Sequence, residues 1–100
     1  MPRAKLPDMT EIADDIVPKL PHGVRFREDK ARGGFILVGP ERIYNIDGVS
    51  VEILKRVDGT TSVQGIVADL AKVFTAEEAV IRPDVEAFLT DLRDKQMVVL

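Results

Sequence analysis

The stretch GGFILVGPERIYNID, residues 33–47, decides how this chain is read. Two short apolar runs, Phe35–Val38 and Ile43–Ile46, flank a Gly39-Pro40-Glu41 turn. Proline fixes its own φ and donates no hydrogen bond, so pairing stops at the turn and the two runs form a hairpin. In the second run Tyr44 and Ile46 share one face, and Ile43 and Asn45 share the other. Upstream, Val24, Phe26 and Glu28 alternate with Arg25 and Arg27, the period of a half-buried strand. Arg32-Gly33-Gly34 turns that strand back. The spacing predicts three antiparallel strands, the last over Arg42–Ile46.

Downstream the period changes to that of a helix. Asp47 is placed to N-cap a first helix that carries Val49, Ile53, Leu54 and Val57 and ends at Asp58-Gly59. Thr61-Ser62-Val63-Gln64 reads as a capping box for a second, with Val63, Ile66, Val67, Leu70 and Phe74 on one stripe. Thr75-Ala76-Glu77-Glu78 reads as another capping box. A proline inside a helix removes a hydrogen bond, so at Pro83 either a short turn over 76–81 gives way to a main third helix that opens at Pro83, the preferred reading, or a longer helix kinks there. Val85, Phe88, Leu89 and Leu92 supply its apolar face, and Gln96–Leu100 reads as a closing extended segment. The fold class is α+β: a three-stranded antiparallel sheet followed by three helices, in a winged helix-turn-helix-like order. Residues 1–21 hold four of the six prolines and read as a flexible tail or linker, with one helical turn near Glu11–Val17. The folded domain is expected over 22–100.

Composition narrows the function. At 100 residues, 45% hydrophobic and 31% charged, the chain suits one soluble domain with a modest core. No run of about 18 apolar residues is present, and the N-terminus lacks an apolar signal core, so no membrane is expected and the cytoplasm is the default location. No cysteine and a single histidine leave no thiolate metal site, disulfide or thiol nucleophile. His22 stands at the edge of the tail and reads as a solvated turn residue. The acidic pairs Asp14-Asp15, Glu77-Glu78 and Asp91/Asp94 read as solvated or helix-capping carboxylates. The glycines match no phosphate-binding loop. No catalytic residue, metal or cofactor is expected, and the chain reads as a non-enzyme.

A winged helix raises the question of DNA. From Ala76 to Lys95, however, six acidic side chains oppose Arg82, Arg93 and Lys95, which repels a polyanion. The basic surplus lies around the strands. DNA binding through the third helix is therefore the weaker alternative. The third strand offers another role. Ile43, Tyr44, Asn45 and Ile46 carry no charge, although exposed edges are usually blunted by charge or proline. As an edge, this strand either accepts an extended peptide or is covered, by a terminal segment or by a second copy in a self-pairing dimer. Val85, Phe88, Leu89 and Leu92 are candidates for the far wall of a groove beside it.

The pieces LVGPERIYNID, ILKRVDGTTSV and DVEAFLTDL, in that order over roughly residues 21–100, resemble the PqqD family, the peptide chaperones of pyrroloquinoline quinone biosynthesis. The resemblance implies a recognition element for ribosomally made, modified peptides. Such a domain takes the leader of a precursor peptide as an added strand beside the third strand and against the third helix. It then presents that peptide to a radical S-adenosylmethionine enzyme. By position, the implied peptide-binding residues are Arg42, Ile43, Tyr44, Asn45, Ile46, Val85, Phe88, Leu89 and Leu92. The family also occurs fused behind the preceding pathway enzyme, so the proline-rich start reads either as a remnant of such a linker or as an ordinary tail.

Overall fold

The computed structural model describes residues 12–100. Three strands, β1 (Arg25–Glu28), β2 (Phe35–Val38) and β3 (Ile43–Ile46), form an antiparallel sheet in the order β1-β2-β3. Three helices follow: α1 (Val49–Lys55), α2 (Val63–Val73) and α3 (Glu78–Asp94). The expected fold class is the observed one.

One face of the sheet carries Phe26, Phe35, Leu37, Tyr44 and Ile46 toward the helices, and all five join the core or pack against it. The Phe26 and Phe35 rings stack at 5.4 Å, and Lys55 Nζ lies 5.4 Å from the Phe35 ring. Beneath them, Ile53, Leu54, Val63, Ile66, Val67, Leu70, Val85, Leu89 and Leu92 form the centre of the core. Arg56 ties α1 to α2: it pairs with Asp69 and donates to the Glu52 carbonyl at 2.7 Å.

Helix ends depart from the sequence reading in an instructive way. Gly48, not Asp47, is the N-cap of α1, and Ser62, not Thr61, caps α2 by accepting from the Gly65 amide at 3.1 Å. Thr61 is engaged elsewhere: its amide and hydroxyl, with those of Thr60, donate to the Asp58 carboxylate in the α1–α2 turn. The capping box at Thr75 does not form, because Thr75 closes the preceding helix. It adopts φ +50°, its amide donates to the Lys72 carbonyl and the Ala76 amide donates to Ala71, a Schellman closure of α2. Glu77 then opens α3 without a side-chain cap.

α3 is also continuous through Pro83, against the preferred expectation of a helix starting there. The missing amide forfeits a bond to the Ala79 carbonyl, at a cost of up to about 3 kcal/mol. A continuous helix keeps Ile81 on the same buried stripe as Val85, Leu89 and Leu92. Each buried aliphatic side chain is worth about 1.5–3 kcal/mol, enough to hold the turn in place. Two apolar assignments also shift: Val49 and Phe74 are exposed, and Val51 takes the buried place in α1.

Packing reaches at least as far back as Ile12, ten residues before the expected boundary at 22. Ile12 is in the core, Pro18 is fully buried, and Ile16 and Leu20 pack against the core. The Asp14 and Ile16 carbonyls accept from the Gln64 and Val63 amides at 3.1 and 2.8 Å, satisfying two donors that the first turn of α2 leaves open. Asp14 pairs with Arg82, and the Ile12 amide donates to the Glu86 carboxylate at 2.8 Å, so the segment also grips α3. Lys19 and Val99 exchange both backbone hydrogen bonds as an isolated bridge. A turn closes at Ala13–Ile16; the rest of the tail reading, residues 1–11, lies outside the described residues.

Two outcomes follow from this architecture. Pro83→Ala restores the bond to Ala79 and raises stability by about 1–3 kcal/mol in denaturant unfolding; unchanged stability means that the carbonyl is already satisfied. The Thr60 and Thr61 amides and hydroxyls hold the Asp58 carboxyl well below the usual carboxylate range. The folded state therefore favours the ionised form, a stabilisation present above the ordinary value and lost as pH falls toward the depressed one. Asp58→Asn lowers Tm at neutral pH, and its deficit relative to wild type shrinks as pH drops below about 4.

Candidate functional site

The hydrogen-bond phase of the sheet defines the site. The Gly39 amide donates to the Arg42 carbonyl at 2.8 Å, and this pair stands in register with Val38↔Ile43. In an antiparallel ladder, hydrogen-bonded and non-bonded pairs alternate. Leu37↔Tyr44 and Phe35↔Ile46 are therefore bonded pairs, and the polar groups of Tyr44 and Ile46 point into the sheet. Those of Ile43 and Asn45 point outward. The β1–β2 pairing has the complementary phase, with Asp29 donating to Gly34 at 2.8 Å one rung beyond Glu28↔Phe35. Among the described residues no strand pairs with the outer side of β3. Its free groups are two amides and two carbonyls, at Ile43 and Asn45.

The second outer strand, β1, reads Arg-Phe-Arg-Glu and is protected by charge. β3 has no such protection. Ile43 is 65% exposed on the sheet's outer face, with Asn45 exposed beside it.

The C-terminal end of α3 approaches the start of β3. Met97, just past its end, packs so close to Gly39 that a Cβ there would sit 2.8 Å from the Met97 sulfur. Further along, Lys95 Nζ stands 5.0 Å from the centre of the Tyr44 ring. A second Schellman closure sets this approach: Gln96 takes φ +61°, the Met97 amide donates to Leu92 at 2.8 Å, and the Gln96 amide donates to Arg93 at 2.9 Å. The turn sends Met97 and Val98 inward and leaves Lys95 over Tyr44. Asp91 accepts from Lys95 at 2.8 Å and holds its ammonium above the ordinary lysine value. Arg42 Nη1 donates to the Tyr44 hydroxyl at 3.4 Å.

The implied site residues divide into two groups. Arg42, Ile43 and Asn45 are exposed, and Tyr44 and Phe88 are half-buried at the margin of the core. Val85 and Leu89 are fully buried and Leu92 is 2% exposed, so as side chains they belong to the core. Ile46 likewise points into the core. What stands over β3 is Lys95, the C-cap residue of α3, bound to Asp91 one turn back, while Phe88 packs at the margin of the core. Sequence reasoning passed over Asp91 and Lys95 because it sought an apolar wall. Their i,i+4 spacing was the available signal.

Beyond the start of β3 lies a cleft of about 620 Å³, lined by Pro21, His22, Val24, Gly39–Arg42 and Asp94–Met97. His22, read as a turn residue, is exposed at its rim. Among the described residues no three His, Cys, Asp or Glu side chains gather as a metal site. No helix there is long and apolar enough to cross a membrane.

Fold and site together define a small winged-helix-like α+β domain whose candidate site is a free strand edge beside a helix. The family model described as Coenzyme PQQ synthesis protein D (PqqD) matches residues 34–98, and the chain belongs to that family. It is 42% identical over 78 residues to a PqqA binding protein of Rhodopseudomonas palustris, covering 78% of this chain and 76% of that one. It is 35% identical over 97 residues to the bifunctional coenzyme PQQ synthesis protein C/D of Methylorubrum extorquens, covering 97% of this chain and 26% of that protein. The chain thus spans about a quarter of that relative. Among solved structures, the NMR structure of the PqqD truncation of Methylobacterium extorquens PqqCD superposes with a TM-score of 0.77 at 35% identity, covering 92% of this chain and 98% of that one. It is described as a functional, stand-alone recognition element for ribosomally synthesised and post-translationally modified peptides. The crystal structure of PqqD from Xanthomonas campestris gives a TM-score of 0.57 at 36% identity, covering 90% and 100%.

The ladder phase has a direct readout. In native-state hydrogen exchange of the free protein, the Ile43 and Asn45 amides exchange faster than those of Tyr44 and Ile46. Equal protection at all four overturns the assignment of the open edge.

Proposed function

We propose that this chain is a peptide chaperone of pyrroloquinoline quinone biosynthesis. It binds the precursor peptide PqqA as a fourth strand along β3 and delivers it to the radical S-adenosylmethionine enzyme of the pathway. The observation that carries the reading is the uncharged, unpaired edge of β3, with two outward amides and two outward carbonyls beside α3. A related chain described as a PqqA binding protein and a solved relative described as a peptide recognition element support it.

The mechanism is physical and breaks no bond. An extended guest exchanges backbone hydrogen bonds with Ile43 and Asn45, each worth about 1 kcal/mol net. Its alternate side chains fall on the sheet's two faces, some beside exposed Ile43 and others beside Tyr44 and Lys95. Ordering a disordered peptide costs about 2–5 kcal/mol. Affinity therefore rests on a few anchors, Phe88 and Tyr44 foremost, which offer apolar surface without leaving the core. The acidic α3 disfavours a nucleic-acid backbone in the same groove.

The test is a titration with synthetic PqqA, followed by backbone amide shifts. Resonances of β3 and of Phe88–Lys95 move together on saturation. Asn45→Pro removes an outward donor from an edge strand, where proline is tolerated, so it keeps the fold and weakens binding by roughly tenfold. Tyr44→Pro removes an inward donor and unfolds the hairpin instead. Binding that survives Asn45→Pro unchanged, in a folded variant, rejects strand addition at β3.

A further inference from the structure

We propose that the start of the β3 groove contains a carboxylate subsite, built by Arg42 and Lys95 at Tyr44, that selects a guest strand carrying an acidic side chain at that point. The inference rests on the strand-addition reading and adds the chemistry of one guest position. Arg42, Tyr44 and Ile46 point to the same face of the sheet, toward α3. A guest residue paired opposite Tyr44 or Arg42 points to that face as well, with its Cβ about 5 Å from its partner's. There it meets two cations: Arg42 reaches the Tyr44 hydroxyl, and Lys95 lies over the ring. Each lies close enough for Arg42 to oppose the charge on Lys95.

One carboxylate, Asp91, answers that pair, and it is bound to Lys95. Arg42 has no carboxylate within ion-pair distance among the described residues; its one polar side-chain contact there is the tyrosine hydroxyl. The guanidinium thus keeps most of its donors at the mouth of the groove, in the planar fork that suits a carboxylate. Two acids bound the subsite on the cleft side. Asp94 is paired with Arg93, and Glu41 sits at the turn apex. Their charge disfavours an acidic guest residue deeper in the cleft and confines the preference to the position beside Tyr44.

The test is a double-mutant cycle between this chain and synthetic PqqA. Each Asp and Glu of the peptide is replaced in turn by its amide, and affinities are measured for the wild type and for Arg42→Gln. One replacement is expected to weaken wild-type binding by roughly fivefold, with the loss shrinking as salt rises, and to have little effect on the Arg42→Gln protein. Arg42→Lys recovers part of the affinity. If no acidic position couples to Arg42 while Asn45→Pro still weakens binding, the subsite is rejected and strand addition stands. If Asn45→Pro has no effect, the strand-addition reading fails with it.

Discussion

The phase of one backbone ladder governs the rest of this molecule. Because the Gly39 amide bonds to Arg42 across the turn, every second residue of β3 is spent on β2 and the others face outward. The same count places Tyr44 and Ile46 side chains on the core face and Ile43 on the outer one. Core attachment and edge availability thus reside in different residues of a four-residue strand. A turn one residue longer or shorter would exchange them and open the core face to water.

Holding that edge beside α3 requires a chain end that turns sharply. Gln96 supplies the left-handed residue, and Met97 folds back under Gly39, where any side chain on the glycine would displace its sulfur. The N-terminal segment braces the same corner from outside. Its Lys19–Val99 bridge and buried Pro18 fix the path into Pro21 and His22, which line the cleft at the start of β3. The prolines of this segment suggested a linker because they remove helix and strand donors. The turn at Ala13–Ile16 leaves the Asp14 and Ile16 carbonyls free, and α2 uses both to complete its first turn.

Fold and proposed function agree in kind. The groove offers backbone donors, two half-buried rings and a pair of cations, which suit recognition of an extended polypeptide. Family membership brings relatives described by the peptide they bind, while the residues at the edge give the physical means by which such a guest would be held.

Strand identity, helix order and the uncharged character of β3 were legible in the sequence because they depend on local period and turn chemistry alone. The apolar stripe of α3 was legible too, but its destination was not: one pattern serves a helix glued to its own core and a helix lining a groove. Packing decided that Val85, Leu89 and Leu92 are sealed and that Lys95, bound to Asp91, stands over Tyr44 of β3. Packing also carried α3 through Pro83, since burying Ile81 offsets a lost hydrogen bond that a local rule counts in isolation. The inward or outward sense of each β3 amide follows from the register across the turn, and the buried footing of residues 12–20 comes from contacts with helices far along the chain. Both are properties of a pair of segments, and a single stretch of sequence, which lacks the partner, cannot specify them.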